Sequence, residues 1–203
     1  ALNSFEHYAI INQGDVMTLK LLIQAVTKFR LGAVLLGILI FLPAGNFAFF
    51  GGWLLMGILF VPMLLAGIIM IFKSPALLEK RLNAKEKLGE QTVVVKLSGL
   101  MFVSGLVVAG LGRRFDWYTL PEWASLVSAA AFLAAYILYA EVLRENTYLS
   151  RTIEVQENQK VIDTGLYGIV RHPMYSATLL LFLSMPIVLG SVYSFLIFLA
   201  YPF

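Results

Sequence analysis

Long uncharged apolar runs alternate with short charged stretches along the 203 residues, and the run lengths predict the elements. A helix that crosses a bilayer needs about 20 mostly apolar residues, because a rise of about 1.5 Å per residue must cover a hydrocarbon core about 30 Å thick. From Leu31 to Phe72 there is no Asp, Glu, Lys or Arg, a run long enough for two spans. Pro43, Gly45 and Asn46 break it and Gly51, Gly52 and Trp53 restart it, which predicts helix one over 27–43 and helix two over 51–72.

From Lys73 to Glu90 charged residues interleave with Leu77, Leu78, Leu82 and Leu88, a spacing that suits either a helix lying in the membrane interface or a solvated connector. A third span is predicted over 92–112, with Lys96 near its end, where a long side chain can reach the headgroups. Pro121 and Glu122 suit a helix start and predict helix four over 122–144. Glu141 to Arg171 is the longest polar stretch. After it, Pro186 and Gly190-Ser191 divide an uncharged run into helix five, 174–189, and a sixth helix that begins near 191 and stops at the chain end. The fold class expected is therefore all-α: a polytopic membrane bundle of five transmembrane helices plus the start of a sixth. Residues 1–26 read as an amino-terminal leader or interfacial segment ahead of one membrane domain, 27–203.

Composition agrees with this picture. Hydrophobic residues make up 60% of the chain and charged residues 13%, whereas soluble domains carry about 45–50% and about 25%. The absence of Cys removes disulfides, thiolate metal sites and Cys nucleophiles together. With a net charge of only +3, the positions of the charges matter more than their sum, and nucleic acid is a poor partner. Of the 15 Lys and Arg, all except Arg113 and Arg114 fall on the side that holds the amino terminus, the 73–96 connection and the 144–171 segment. The positive-inside rule then places that side in the cytoplasm.

One segment, Val161 to Tyr175, gathers unusual residues at the mouth of a membrane helix. Gly165 and Gly168 permit close backbone approach or positive φ, Pro173 fixes a helix start, and Arg171, His172 and Tyr175 offer donors. Together with the positive helix end, these groups suit an anionic or zwitterionic ligand. Read from the residues alone, Arg171, His172 and Tyr175 serve equally well as a headgroup anchor.

The order and spacing of Gly165, Tyr167, Arg171, His172, Pro173 and Tyr175, G-x-Y-x-x-x-R-H-P-x-Y, resemble the signature of isoprenylcysteine carboxyl methyltransferases and related phospholipid methyltransferases. The FLPAG turn before Gly-Gly-Trp, the Ser-Pro-Ala-Leu-Leu-Glu-Lys-Arg-Leu loop, and Asn146 and Ser150 extend the resemblance over roughly residues 27–200. It implies an integral-membrane enzyme that uses S-adenosylmethionine and takes a lipid-borne acceptor, an isoprenylcysteine carboxylate or a phospholipid amine. The cofactor segment would be 145–175. Gln159, Lys160, Val161 and Ile162 would line the cofactor by their backbone, with Gln156 as an upstream contact. Tyr167 would pack on it or bond to it, and Gly165, His172, Pro173, Met174 and Tyr175 would close round it. His172, Arg171 and Tyr175 are the candidate catalytic residues, and no metal is required. Glu141 and Glu145, at the end of helix four, read either as ligand contacts or as a solvated helix end.

The family pattern continues into a final helix with an Arg and a Glu-Glu pair, then a Tyr-rich tail, none of which is in these 203 residues; they are accordingly expected to be part of the enzyme and, alone, to bind S-adenosylmethionine weakly or not at all. Two other readings compete. Membrane sterol and steroid reductases carry an Arg-His-x-x-Tyr turn and bind NADPH, but their version usually reads R-H-x-N-Y where this chain has Met174. A non-enzymatic membrane protein could also use the turn as an anchor.

Overall fold

The computed structural model describes residues 4–75, 78, 79, 82, 89–117, 119–145 and 165–200, with backbone alone for 4–18 and 89–94. Its described elements are α1 Ser4–Ala44, α2 Phe50–Lys73, α3 Gly89–Arg114, α4 Glu122–Glu145, α5 Leu166–Ile169, α6 Pro173–Val188 and α7 Val192–Phe198. Among the described residues there is no strand, only an isolated antiparallel bridge between Thr119 and Ser191. The helical membrane bundle expected from the run lengths is the fold observed.

Among the described residues four helices are long and apolar enough to cross a membrane: Leu19–Ala44 within α1, α2, Val95–Arg114 within α3, and α4. The fifth expected span is shorter than a crossing helix. At 16 residues α6 is about 24 Å long, because its chain turns at Gly190 and restarts in α7, whose first turn is capped by the Ser191 hydroxyl accepting from Ser194 N at 3.2 Å. Helix one also differs from expectation. It begins at Ser4, within the stretch read as a leader or interfacial segment. Nor does Pro43 end it; helix continues to Ala44, and the turn comes at Gly45, whose N–H reaches back to Phe41 O at 3.0 Å.

In the connection after α2, Leu78 is buried and Glu79 exposed, as one face of an amphipathic stretch would be, and Lys28 of α1 donates to the carbonyl of Leu82. Leu77 lies outside the described residues.

The bundle packs through small residues on facing backbones. α1 and α3 meet at Gly110, and α3 meets α7 where the ring of Phe198 covers Gly105. Phe102 holds that contact from α3, edge-on to Phe182 at 5.4 Å and tilted against Phe198 at 5.3 Å. The most extensive contact joins α4 and α6 as an antiparallel pair. Its register is marked by three bonds: Gly190 O accepts Leu120 N at 2.8 Å, Ile187 O accepts Ser125 Oγ at 3.3 Å, and Ser184 O accepts Ser128 Oγ at 3.1 Å. The two helices are nearly flush at this end. Carried along the pair, the same register brings Pro173, the first residue of α6, level with about Tyr139, and α4 runs on past it to Glu145. Lipid-facing surfaces stay apolar: Leu64, Leu65, Ile68 and Ile69 of α2 and Val127 and Ile137 of α4 are all exposed.

Candidate functional site

The Gly-x-Tyr and Arg-His-Pro parts of the motif occupy the step between the end of α4 and the start of α6. Gly165 adopts φ +56, ψ −126, a backbone region open essentially to glycine alone, and stands at the head of the single-turn helix α5. The turn closes on itself through Gly168 N to Gly165 O at 3.2 Å and Val170 N to Leu166 O at 2.9 Å. Val170 is extended (φ −125, ψ 127) and carries the chain from α5 towards Arg171 and His172.

His172 stands at the N-cap of α6 with φ −134 and ψ 68, and Pro173 takes the first helical position, where its missing N–H costs nothing. The His172 carbonyl accepts both the backbone N–H of Ser176 at 3.2 Å and its hydroxyl at 3.3 Å. Ahead of that first bond, the amides of Met174 and Tyr175 have no acceptor within the helix. The His172 and Tyr175 rings lie side by side with centroids 5.6 Å apart, and both side chains are exposed. Arg171 is exposed, Met174 and Tyr167 are half-buried, and Pro173 is buried against the bundle. The turn therefore carries a cation, an imidazole, a phenol and two amides without an intrahelical acceptor, groups able to hold a ligand with both anionic and apolar parts.

Of the expected cofactor-lining residues, Gly165, Tyr167, His172, Pro173, Met174 and Tyr175 lie, with Arg171, on α5 with its N-cap, the first turn of α6 and the chain joining them, and the His172 and Tyr175 rings are in contact. Gln156, Gln159, Lys160, Val161 and Ile162 lie outside the described residues, as do Asn146 and Ser150.

The two acidic residues at the end of α4 separate in role. Glu141 forms a two-pronged ion pair with Arg144, Nε to Oε2 at 2.8 Å and Nη2 to Oε1 at 2.5 Å, in an exposed setting where such a pair adds little stability. Glu145 instead reaches the turn: its carboxylate accepts Leu166 N with Oε2 at 2.9 Å and Oε1 at 3.2 Å. No local signal marks this contact in the sequence, since its partners are 21 positions apart and the pairing exists only once α4 and the turn meet.

A concave feature lies at the opposite end of the bundle from this turn. The α1–α2, α3–α4 and α6–α7 connections meet round a cavity of about 220 Å3 lined in part by Phe49, Gly51, Arg113, Glu122, Ser125 and Ser191. Patterning gave no hint of it. All three tryptophans, Trp53, Trp117 and Trp123, stand exposed near this end, as expected at a membrane interface.

No curated protein and no solved structure matches the chain. Over residues 123–202, from α4 through the Arg-His-Pro turn to α7, it matches the phospholipid methyltransferase family model, which bears out the resemblance carried by Gly165, Tyr167, Arg171, His172, Pro173 and Tyr175 and supports, in general terms, a membrane methyltransferase.

Proposed function

We propose that the protein transfers a methyl group from S-adenosylmethionine to a lipid-borne acceptor, at the turn between α5 and α6 and on the cytoplasmic side of the membrane. The observation that carries this reading is the set of motif residues gathered at one helix mouth within the stretch that matches the family.

The described residues fit a zwitterionic sulfonium cofactor in kind. Free amides at the head of α6 and the Arg171 guanidinium suit its carboxylate, and the phenol faces of Tyr167 and Tyr175 suit an adenine ring or a sulfonium. The cofactor supplies an electrophilic methyl group on a sulfonium centre. What remains for the protein is to hold donor and acceptor in line and to exclude water, which is a matter of positioning and of fixed dipoles rather than of acid or base. A carboxylate acceptor is already ionised at neutral pH and needs no proton removed. An amine acceptor must lose a proton before attack, and the exposed His172 imidazole is the group at the turn able to take it. With a carboxylate acceptor, His172 instead orients the cofactor by a hydrogen bond.

Membranes carrying the full-length protein, incubated with methyl-labelled S-adenosylmethionine and then extracted, should yield a labelled lipid whose identity names the acceptor. Absence of label in the extract, together with saturable NADPH binding, would replace this reading with a reductase.

A further inference from the structure

Glu145 belongs to α4, yet its carboxylate is spent on the turn. Both oxygens lie within hydrogen-bond distance of Leu166 N, and the carboxylate occupies the space that a side chain at 165 would need: a Cβ built on Gly165 would fall 1.6 Å from Oε1 and 2.4 Å from Cδ. Gly165 is thus required twice, by its positive φ and by the carboxylate packed where a methyl group would stand. The neighbouring Arg144 makes its hydrogen bonds to Glu141, although its charge also acts on Glu145.

The Glu145–Leu166 bond ties the end of α4 to the first residue of α5, and Tyr167 follows Leu166 directly. We propose that Glu145 is a positioning residue of the methyltransferase site, a clamp that fixes the start of α5 and with it the placement of Tyr167, without itself touching cofactor or acceptor. The role rests on the function proposed above. The clamp requires an acceptor oxygen rather than a negative charge, which separates it from a ligand-binding carboxylate: glutamine keeps an acceptor and loses the charge, whereas alanine loses both.

The test uses the full-length protein in lipid nanodiscs, with S-adenosylmethionine as varied substrate and amide hydrogen exchange at Leu166 as a second readout that needs no activity. Glu145→Ala should raise KM for S-adenosylmethionine about tenfold, as expected for loss of a hydrogen bond to a charged group, with kcat within about threefold of the parent. Its Leu166 amide should exchange quickly. Glu145→Gln should keep KM within about threefold of the parent and keep Leu166 protected. Gly165→Ala, which displaces the carboxylate and also strains the backbone, should raise KM at least as much as Glu145→Ala, and the double variant should be no worse than Gly165→Ala alone, because both changes open the same contact. A parental KM in Glu145→Ala would overturn the proposal, as would Glu145→Gln behaving like Glu145→Ala, which would signal a charge contact with the ligand. If Glu145→Ala fails to fold, the Glu145→Gln and Gly165→Ala comparison decides by the same criteria. A parent that transfers no methyl group, whatever its Leu166 exchange, would remove the underlying reading and the positioning role with it.

Discussion

The hydroxyl of Ser128 donates to the carbonyl of Ser184 at 3.1 Å, with both residues buried between α4 and α6. The Ser184 hydroxyl turns back to Leu180 O at 2.6 Å, so each polar side chain in this contact is satisfied by a neighbouring backbone. Interhelical bonds of this kind average about 0.6 kcal/mol in membrane proteins. Ser128→Ala should therefore destabilise the bundle by about 0.5–1 kcal/mol in reversible detergent unfolding, and a loss above about 2 kcal/mol would mean that Ser128 does more than bridge the pair.

A larger effect is expected where backbones touch. A Cβ on Gly110 would lie 2.7 Å from the carbonyl oxygen of Ile40 and 2.9 Å from Pro43 Cβ, and neither can move without shifting α1. Gly110→Ala should cost about 1–3 kcal/mol by overpacking. Gly57 of α2 is exposed with nothing within 4 Å of its Cβ position, and Gly57→Ala should be neutral or gain up to about 1 kcal/mol from helix propensity. Equal effects at the two positions in the same unfolding assay would contradict the α1–α3 contact.

His172→Ala should abolish most methyl transfer while leaving membrane insertion unchanged. The His172 backbone already makes the structural bonds of the N-cap through its carbonyl, and the imidazole is exposed, so truncation removes chemistry and little packing. Labelled methyl incorporation, with insertion checked by carbonate extraction, measures both. Full activity in this variant would show that the motif has been assigned to the wrong chemistry.

The orientation is open to a direct test because the chain contains no Cys, so a single introduced thiol reports alone. Phe115, exposed between α3 and α4, and Ser74, exposed at the end of α2, lie at opposite ends of the bundle. In intact cells Phe115→Cys should react with a membrane-impermeant maleimide, and Ser74→Cys only after permeabilisation. The reverse pattern would turn the site to the outside.

Much of this architecture was legible from run length. Each expected helix from the second to the fourth matches an observed one to within three residues at either end, because an apolar run bounded by charge has few ways to satisfy its backbone in lipid. Hydropathy alone gives α6 as a full span because it measures apolarity, whereas the helix length is set by the turn at Gly190 and the bond to Leu120. Among the site residues, the motif revealed those near one another in sequence, such as His172 and Tyr175. In the sequence Glu145 suits either a ligand contact or a solvated helix end, since its partner is fixed only by the docking of two elements. The cavity near Arg113 and Glu122 arises from three loops whose sequences carry no common pattern.

The unequal lengths of α4 and α6 have a consequence for how an acceptor would be reached. With Pro173 level with about Tyr139, α4 rises some six residues, about 9 Å, above the mouth of α6, and the Arg-His-Pro turn forms a ledge set below the rim. Lifting a lipid by that height would bring methylenes into water at about 0.8 kcal/mol each. For the methyltransferase proposed above, a ledge at this depth would spare a lipid acceptor that ascent, and a water-soluble donor would come down to meet it.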